Sequence, residues 1–386
     1  MSAPRLAAPG LPGRLPEPDP QARARSDRLV ERIREHIAAA GGWIGFDDYM
    51  QLALYEPGLG YYDSQGPKFG VQGDFVTAPE ISPLFARALA TQVAQGLAGL
   101  PAQVMEFGAG TGALALELLG EMDRRGTPLG QYFIVEVSAD LRERQRERLH
   151  GLPVTWLARL PETFEGVIIA NEVLDVLPVQ LFVRSGEGAL ARGVTWSGNG
   201  LRLAAGTADT PLRQAVAAIE AVAGPLPEGY GSEFCPLAQG WIAALAACLR
   251  RGLILLADYG FPRREYYHPQ RAMGTVMCHY RQHAHADPLW LPGLNDITAH
   301  VDFTAVAQAA RAAELDLLGY TSQAHFLMNC GILELLASDL AAPQIAGVQR
   351  LLSEAEMGEL VKVMALGRGC ADALVGFTRG DRRHRL

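Results

Sequence analysis

The chain has 386 residues, of which 49% are hydrophobic and 20% charged, and this balance is typical of a soluble globular protein with a large buried core. This length accommodates either two average domains or one elaborated α/β domain. The formal net charge of −8 argues against nucleic acid as the main partner, because phosphate binding needs a basic face, and it is compatible with a basic or arginine-bearing protein substrate.

Cysteine usage and hydropathy favour a cytoplasmic protein. The five cysteines form no CxxC pair, which fits a reducing compartment without a disulfide framework or a zinc knuckle. No apolar run approaches the roughly 18 to 20 residues that a membrane span needs. Residues 1–25 are rich in Pro, Ala and Arg and are expected to form a disordered tail, because they lack the apolar stretch of a secretory signal and their prolines disfavour an amphipathic transit peptide.

The region 26–100 is expected to be helical and to include a lid. Ser26 is predicted to cap a helix whose Leu29, Ile33 and Ile37 share one face, and a second helix is predicted over Phe46–Tyr55. A long segment rich in Gly and Pro follows, and loops of this length in compact domains are usually functional.

Three polar residues near the end of that segment, Asp74, Thr77 and Glu80, are candidates for ligand contacts. A structural interpretation is equally open. Thr77 or Ser82 could cap the helix predicted from Pro83 to Gly96, and Asp74 could satisfy the turn.

The stretch MEFGAGTG, Met105 to Gly112, is the most informative motif. A short apolar strand ends at Glu106 and Phe107, and glycines at 108, 110 and 112 open a helix that starts at Ala113. Such glycines let the backbone turn sharply and approach a ligand closely. The string fits both the dinucleotide fingerprint and the first motif of S-adenosylmethionine (SAM) methyltransferases, and Glu106 favours SAM because a carboxylate would repel a pyrophosphate.

Two further strands are predicted to bring polar residues to the same crevice. The run Gln131 to Val137 contains Glu136, a little over about 20 residues beyond the loop, the spacing at which an acidic residue meets ribose hydroxyls. Glu136 could also serve only the dipole of the next helix. Asn171 and Glu172 follow the strand 166–170, whereas Asp175 could equally cap a turn.

The alternation of strands and helices from 101 to 178 predicts a parallel, doubly wound α/β sheet. The later elements are expected to be a hairpin within 181–204, helices over 211–222, 241–249 and 303–314, and a strand over 253–257 that is followed by Asp258 and Tyr259. Closing strands are expected at 315–321 and 373–378, around a helical stretch 326–365.

Cys278, His279, His283 and His285 lie in an aromatic-rich insertion, and their spacing matches no standard zinc site, so no metal is expected. His300 could orient substrate or be a hydrogen-bonded core histidine, and Asp302 is as compatible with an N-cap as with a substrate contact.

Taken together, six segments resemble the MidA-type SAM-dependent methyltransferases. They are GDFVTAPEIS (73–82), MEFGAGTG, FIVEVS, ANEVLDVLP, ADYG (257–260) and ITAHVDF (297–303), and the resemblance runs from about Arg28 to the end. It implies a class I, Rossmann-like methyltransferase domain over 101–386, with insertions near 181–245 and 261–300. For the mitochondrial member it implies methylation of an arginine on a complex I subunit.

Roles follow from this resemblance as expectations. Glu172, with Asp175 or Asp258, is expected to clamp a guanidinium, while the candidate substrate contacts are Asp74, Tyr259, His300 and Asp302. The expected SAM contacts are Thr77, Glu80, Glu106, Gly108, Gly110, Gly112, Glu136 and Asn171, with Trp156 and Leu157 beside the adenine. A protein substrate, with a respiratory-chain subunit as one candidate, is the expected partner, and the oligomeric state stays open, a homodimer included.

Three other interpretations remain open. A small-molecule methyltransferase would share every cofactor motif. A non-catalytic assembly factor could retain the SAM pocket as a relic, although the intact motifs argue against decay. Glu106 and the glycine spacing disfavour a nicotinamide dehydrogenase, while Ala113 keeps it formally open.

Overall fold

The computed structural model describes residues 15–63, 76–186, 188–336, 342–370 and 373–386. In the described part of the chain, the α-helices are α1 (Pro20–Ala39), α2 (Phe46–Tyr55), α3 (Ala78–Ile81), α4 (Pro83–Gly96), α5 (Ala113–Arg124), α6 (Ala139–Arg148), α7 (Thr210–Ala223), α8 (Pro236–Cys248), α9 (Arg263–Tyr266), α10 (Phe303–Ala312), α11 (Gln323–Asn329), α12 (Ile332–Leu336), α13 (Ala342–Leu352) and α14 (Met357–Leu360).

The strands are β1 (Trp43–Gly45), β2 (Gln103–Phe107), β3 (Gln131–Val135), β4 (Val154–Leu157), β5 (Phe164–Asn171), β6 (Gln180–Ser185), β7 (Gly188–Ser197), β8 (Gly200–Gly206), β9 (Gly231–Phe234), β10 (Leu249–Phe261), β11 (Met277–Tyr280), β12 (His283–His285), β13 (Asp296–Thr298), β14 (Val301–Asp302), β15 (Asp316–Ser322) and β16 (Val361–Arg368).

The chain divides into two compact units. The parallel-sheet unit comprises residues 76–175, 237–266 and 300–386, and the antiparallel-sheet unit comprises the described residues within 1–75, 176–236 and 267–299. This division differs from the expected domain bounds, because most of the two segments expected as insertions groups with the N-terminal helices.

The parallel-sheet unit is built on a sheet with the strand order β15-β16-β10-β5-β2-β3-β4. Neighbouring strands from β10 to β4 pair in parallel, and β16 runs antiparallel to both β10 and β15. Strand order reverses between β5 and β2, where open α/β sheets bind ligands beyond the carboxyl ends of their strands. The class I, Rossmann-like architecture expected from the sequence is confirmed.

Near the C-terminus, the predicted helical stretch 326–365 is confirmed for most of the described residues up to Leu360, which lie in α11 to α14, but its last residues, 361–365, belong to β16. The predicted strand 373–378 is wrong, because it contains a 3₁₀ helix, Val375–Phe377. The run VKVMALGR contains good helix formers, but residues 361–367 are all buried between neighbouring strands. Burial in the sheet outweighs the local propensity.

The antiparallel-sheet unit contains α1, α2, α7 and two antiparallel sheets. One sheet has the order β1-β7-β6-β9 with β8 beside β7, and the other has the order β12-β11-β13. Its main core packs Leu29, Ile33 and Ile37 of α1 against α2 and the first sheet. The predicted hairpin is confirmed, since Gly193 to Trp196 of β7 pairs with β8.

The predicted start of the first helix at Ser26 is wrong. Helix α1 begins at Pro20, and Asp19 caps it by accepting a hydrogen bond from the Ala22 amide at 2.8 Å. Ser26 lies inside the helix, where its hydroxyl donates to the carbonyl of Pro292 at 2.9 Å. Asp followed by Pro is itself a start signal, so residues 20–25 belong to the helix, while 1–14 lie outside the described residues.

Two helical glycines of the parallel-sheet unit should respond oppositely to alanine. Gly240 is exposed within α8 and a Cβ there would meet nothing within 4 Å, whereas a Cβ at Gly96 would lie 3.0 Å from Leu253 and 3.1 Å from Val167. We expect Gly240→Ala to raise the free energy of unfolding by about 0.5–1 kcal/mol. Gly96→Ala should leave the free energy of unfolding unchanged or lower it. Equal increases for both variants in chemical denaturation would contradict this packing argument.

Candidate active site

The glycine turn lies directly after β2. Gly108, Gly110 and Gly112 adopt φ values of 60°, 54° and 81°, the left-handed region that disfavours side chains. A Cβ at Gly108 would lie 3.0 Å from a methyl of Val173, and Gly112 is the residue before α5. The turn is therefore a cradle that any side chain would fill.

Glu106 ends β2 as a buried carboxylate. Its side chain is 3% exposed and accepts a hydrogen bond of 2.7 Å from the Tyr132 hydroxyl. Burial raises the pKa of Glu106 to about 7, although the Tyr132 hydrogen bond opposes the shift. A carboxyl of this kind suits a cationic ligand group rather than a phosphate.

Glu136 follows β3, and its carboxylate accepts from the Val137 amide, the Ser138 amide and the Gln145 side chain. The Ser138 amide donates to Oε1 at 2.9 Å, and the Gln145 side chain donates to Oε2 at 3.2 Å. Burial raises its pKa, and these hydrogen bonds oppose the rise. The next residue, Val137, is 73% exposed.

Gln145 is a site residue that the sequence argument missed. It is fully buried in α6, donates to the Gly110 carbonyl at 2.8 Å and accepts from the Trp156 indole at 2.9 Å. Helical spacing gave a signal, because Leu141, Gln145 and Leu149 recur every four residues and so share the inner face. Most of the other residues of α6 are charged, so this periodicity did not stand out in the sequence.

The end of β5 carries Asn171 and Glu172. Glu172 has φ 53°, in the left-handed region that residues with a Cβ adopt uncommonly, and among the described residues Arg281, Gln282, Leu291 and Glu314 share this region. Its Oε1 accepts from the Ala78 amide at 3.2 Å and from the Asn171 side chain at 3.1 Å. Burial raises the pKa of Glu172 to about 7. Among the described residues, the buried Oδ1 of Asn171 has no hydrogen-bond partner.

Asp258, expected as a second clamp residue, is engaged by the backbone instead. Its Oδ2 accepts from the amides of Val173, Leu174 and Asp175 at 3.1, 2.8 and 3.3 Å. Its Oδ1 accepts from the Tyr259 amide at 2.8 Å. These contacts hold the turn after Glu172, so the geometry favours Asp258 as a positioning residue; Asp175 lies buried in that turn.

Helix α3 bridges two parts of the site. At its start the Ala78 amide binds Glu172, and within it Glu80 accepts a hydrogen bond from the Thr111 hydroxyl in the glycine turn. Arg148 lies 3.6 Å from Glu80 and donates to the Thr111 hydroxyl at 2.5 Å. Glu80 thus joins this helix to the expected cofactor loop.

The capping alternatives are settled for Ser82. Its hydroxyl accepts from the Leu84 amide at 3.2 Å and caps α4, whereas Thr77 precedes α3 without a side-chain capping bond. Asp74 and the middle of the expected lid, residues 64–75, lie outside the described residues.

The C-terminal candidates separate into two kinds. Asp302 caps α10 by accepting from the amides of Thr304 and Ala305 at 3.0 and 3.1 Å, and it pairs with Arg263 at 2.8 Å. The N-cap alternative is therefore confirmed. The Asp302 carboxylate, which was a candidate substrate contact, is engaged by these amides and by Arg263. His300 instead stacks on Phe261 with ring centroids 5.4 Å apart and lies 6.1 Å from Tyr259.

The described residues contain neither a metal-binding cluster nor a membrane-spanning helix. In that part of the chain, no group of three or more His, Cys, Asp or Glu side chains is arranged to hold a metal ion. Likewise, none of the described helices combines the length and apolar character of a membrane span.

These residues fit SAM. The left-handed glycine turn leaves room for close backbone approach, Glu106 and Glu136 offer carboxylates rather than phosphate-binding cations, and the Asn171 Oδ1 is a buried acceptor. With the seven-strand order and its antiparallel β16, they define a class I SAM-dependent methyltransferase.

Comparison with known proteins supports the assignment as a SAM-dependent methyltransferase. Residues 85–321 match the model of a family described as "Putative S-adenosyl-L-methionine-dependent methyltransferase", and the chain belongs to this family. It is the MidA-type family that the sequence motifs resembled.

Relatives and solved structures extend the match to almost the whole chain. The chain is 30% identical to the mitochondrial protein arginine methyltransferase NDUFAF7 of Mus musculus, over 89% of this chain and 86% of that protein. The Drosophila melanogaster homolog is 27% identical over 97% and 95%. A "likely methyl transferase" from Burkholderia thailandensis, solved bound to S-adenosyl-homocysteine, is 47% identical with a TM-score of 0.92, over 97% of this chain and 100% of that one.

The raised pKa of Glu106 predicts a pH-dependent stability. A carboxyl whose pKa rises from 4.5 to about 7 on folding contributes stability that is present below about 4.5 and is lost as the pH rises through about 7. Gln can still accept the Tyr132 hydrogen bond, so Glu106→Gln should raise the Tm of the SAM-free protein more at pH 8 than at pH 5. Thermal unfolding at both pH values measures the gap, and an equal gap would contradict the assigned burial effect.

Proposed function

We propose that this chain transfers a methyl group from SAM to an arginine of a protein substrate. The observation that carries the proposal is Glu172, a half-buried carboxylate in a left-handed turn directly after β5, beside the glycine turn. The assignment of the NDUFAF7 relatives as protein arginine methyltransferases and the net charge of −8 support a positively charged protein substrate.

The chemistry explains why a carboxylate is needed. A guanidinium has a pKa above about 12 and offers no free lone pair, so it must be oriented and its charge held while one nitrogen pyramidalises. Bound SAM supplies an electrophilic methyl on a sulfonium. A nitrogen–methyl bond forms as the carbon–sulfur bond breaks, sulfur keeps the electron pair, and the nitrogen then releases a proton.

The chain's own residues divide this work. Glu136 holds the ribose hydroxyls, the glycine turn and Glu106 receive the methionine portion, and Trp156 and Leu157 flank the adenine. Asn171 contacts the cofactor near the transfer site. Positioning of reactants in line can supply on the order of 7 to 11 kcal/mol of a barrier, which makes the rigidity of the Glu172 turn important.

Asp258 and Asp175 support Glu172 rather than replace it. Asp258 binds three successive amides of the 173–175 turn and thereby fixes the backbone that presents Glu172. Tyr259 and the aromatic pair of His300 and Phe261 provide surfaces for the substrate chain near the carboxyl end of β10.

The cellular setting is proposed as cytoplasmic, with a protein rather than a nucleic acid as partner. A respiratory-chain subunit is the candidate substrate implied by the resemblance to the mitochondrial member. A small-molecule acceptor remains the second candidate function, because it would use the same cofactor residues.

Mass spectrometry of co-purifying proteins tests the proposal. The tagged chain is isolated with its partners and incubated with or without SAM, and methylarginine is mapped on each partner. We expect methylarginine to increase on one partner only when SAM is present, and not with a Glu172→Gln chain. Modification confined to small molecules in the same samples would favour the second candidate.

A further inference from the structure

The Gln145 carboxamide connects four parts of the SAM-binding region. It belongs to α6, donates to the Gly110 carbonyl at 2.8 Å and to Glu136 Oε2 at 3.2 Å, and accepts from the Trp156 indole in β4 at 2.9 Å. The side chain is 0% exposed. Both amide protons and the amide oxygen are therefore used inside the protein.

These contacts constrain Glu136 in a particular way. Ser138 donates to one carboxylate oxygen and Gln145 donates to the other, at 2.9 and 3.2 Å. Each oxygen of a carboxylate has about two lone-pair sites. The Val137 amide is a further donor to this carboxylate. The rotation of the carboxylate is thus fixed by the protein, while part of its acceptor capacity stays available for a ribose hydroxyl.

The same carboxamide fixes the indole of Trp156 and the carbonyl of Gly110. A glutamate at this position could accept from the indole but would donate to neither Gly110 nor Glu136 unless protonated. A leucine would leave the Gly110 carbonyl, Glu136 and the Trp156 indole without this partner, and buried polar groups that lose a partner tend to reorient.

We propose that Gln145 is the positioning residue of the adenosine end of the SAM site, setting the carboxylate that receives the ribose, the glycine turn and the indole beside the adenine as one unit. The proposal rests on the ribose role of Glu136 proposed above and does not depend on the identity of the methyl acceptor. Because it concerns cofactor binding, it can be tested without any acceptor.

Calorimetry with S-adenosyl-homocysteine tests the first consequence. Gln145→Leu should weaken binding on the order of 10- to 100-fold, by analogy with the loss that follows removal of a residue that orients a metal ligand. Gln131→Leu is the matched control, because Gln131 also joins β3 to β4, through Thr155 at 2.9 Å, but at the opposite end of β3. Binding by Gln145→Leu within twofold of the parent would overturn the proposal.

A double-mutant cycle separates positioning from general stability. If Gln145 acts through Glu136, the losses from Gln145→Leu and Glu136→Gln should be strongly non-additive, whereas additive losses would overturn the coupling. A Glu136→Gln variant that binds as tightly as the parent would instead refute the ribose role of Glu136, and with it this proposal. Neither result bears on arginine methylation.

Gln145→Glu gives a second readout that a merely structural role would not produce. The introduced carboxyl would face Glu136, so the two groups repel at high pH and share a proton at lower pH. We expect the ratio of the variant's Kd to the parent's Kd to fall as the pH is lowered from about 8.5 to about 6. A constant ratio would overturn the proposal even if Gln145→Leu fails to fold.

Discussion

Glu172→Gln is expected to lower methyl-transfer turnover on the order of 100- to 1000-fold, the range seen when a group that acts on transition-state charge is removed. This substitution removes the negative charge of the side chain while nearly keeping its shape. Both hydrogen bonds to Glu172, from the Ala78 amide and the Asn171 side chain, end on the same oxygen, Oε1, and a glutamine oxygen can accept both. The affinity for SAM should therefore stay within a few-fold of the parent.

The matched control is Glu143→Gln, which removes a carboxylate from the exposed face of α6. Single-turnover rates and S-adenosyl-homocysteine calorimetry together separate turnover from cofactor binding. Turnover at the parental rate would refute the clamp. A loss of cofactor affinity equal to the loss of turnover would place Glu172 on the cofactor instead.

The same residue predicts the pH profile of the parent. Because burial raises the pKa of Glu172 to about 7, its ionised form should become dominant as the pH rises through about 7. Turnover at saturating SAM should therefore increase from pH 6 to pH 8. The residual turnover of Glu172→Gln should increase less between pH 6 and pH 8, because that variant has no carboxyl to ionise at this position.

Gly108→Val should weaken SAM binding on the order of 100-fold or more, equivalent to about 2.7 kcal/mol. Two effects combine. The residue has φ 60°, which a β-branched side chain adopts only with strain, and its Cβ would lie 3.0 Å from Val173 Cγ2. The turn that approaches the cofactor must then shift.

Gly126→Val is the control for backbone strain. Gly126 has φ 70° in the same unit, and a Cβ there would meet nothing within 4 Å. It should lose a similar amount of stability while keeping parental affinity for S-adenosyl-homocysteine. If both variants lose affinity equally, the effect of Gly108→Val is global destabilisation and not loss of the cradle.

The parts of the site that were predictable from sequence are those that depend on local patterns. Glu106 lies at the end of a short apolar strand, and the glycines and Glu136 follow such strands, whose parallel arrangement brings their carboxyl ends to one edge. Asn171 and Glu172 were placed in the same way. Those inferences needed no knowledge of distant contacts.

The parts that were not predictable depend on distant partners. Asp258 binds amides 83 to 85 residues earlier in the chain, so its spacing could not distinguish a clamp from a turn-holding group. Strand β16 contains good helix formers and becomes a strand only because β10 and β15 flank it. Asp302 could be recognised as a candidate cap, but the Arg263 partner that completes its environment lies 39 residues away.

The central claim is tested most directly by adding the purified chain and methyl-labelled SAM to an extract of source-organism cells that lack this protein. After incubation, the protein and small-molecule fractions are separated, and the protein fraction is hydrolysed to amino acids. The account predicts label in the protein fraction that is recovered as methylarginine, and little transfer with Glu172→Gln. Label recovered only in small molecules, or no transfer by a chain that binds S-adenosyl-homocysteine normally, would contradict it.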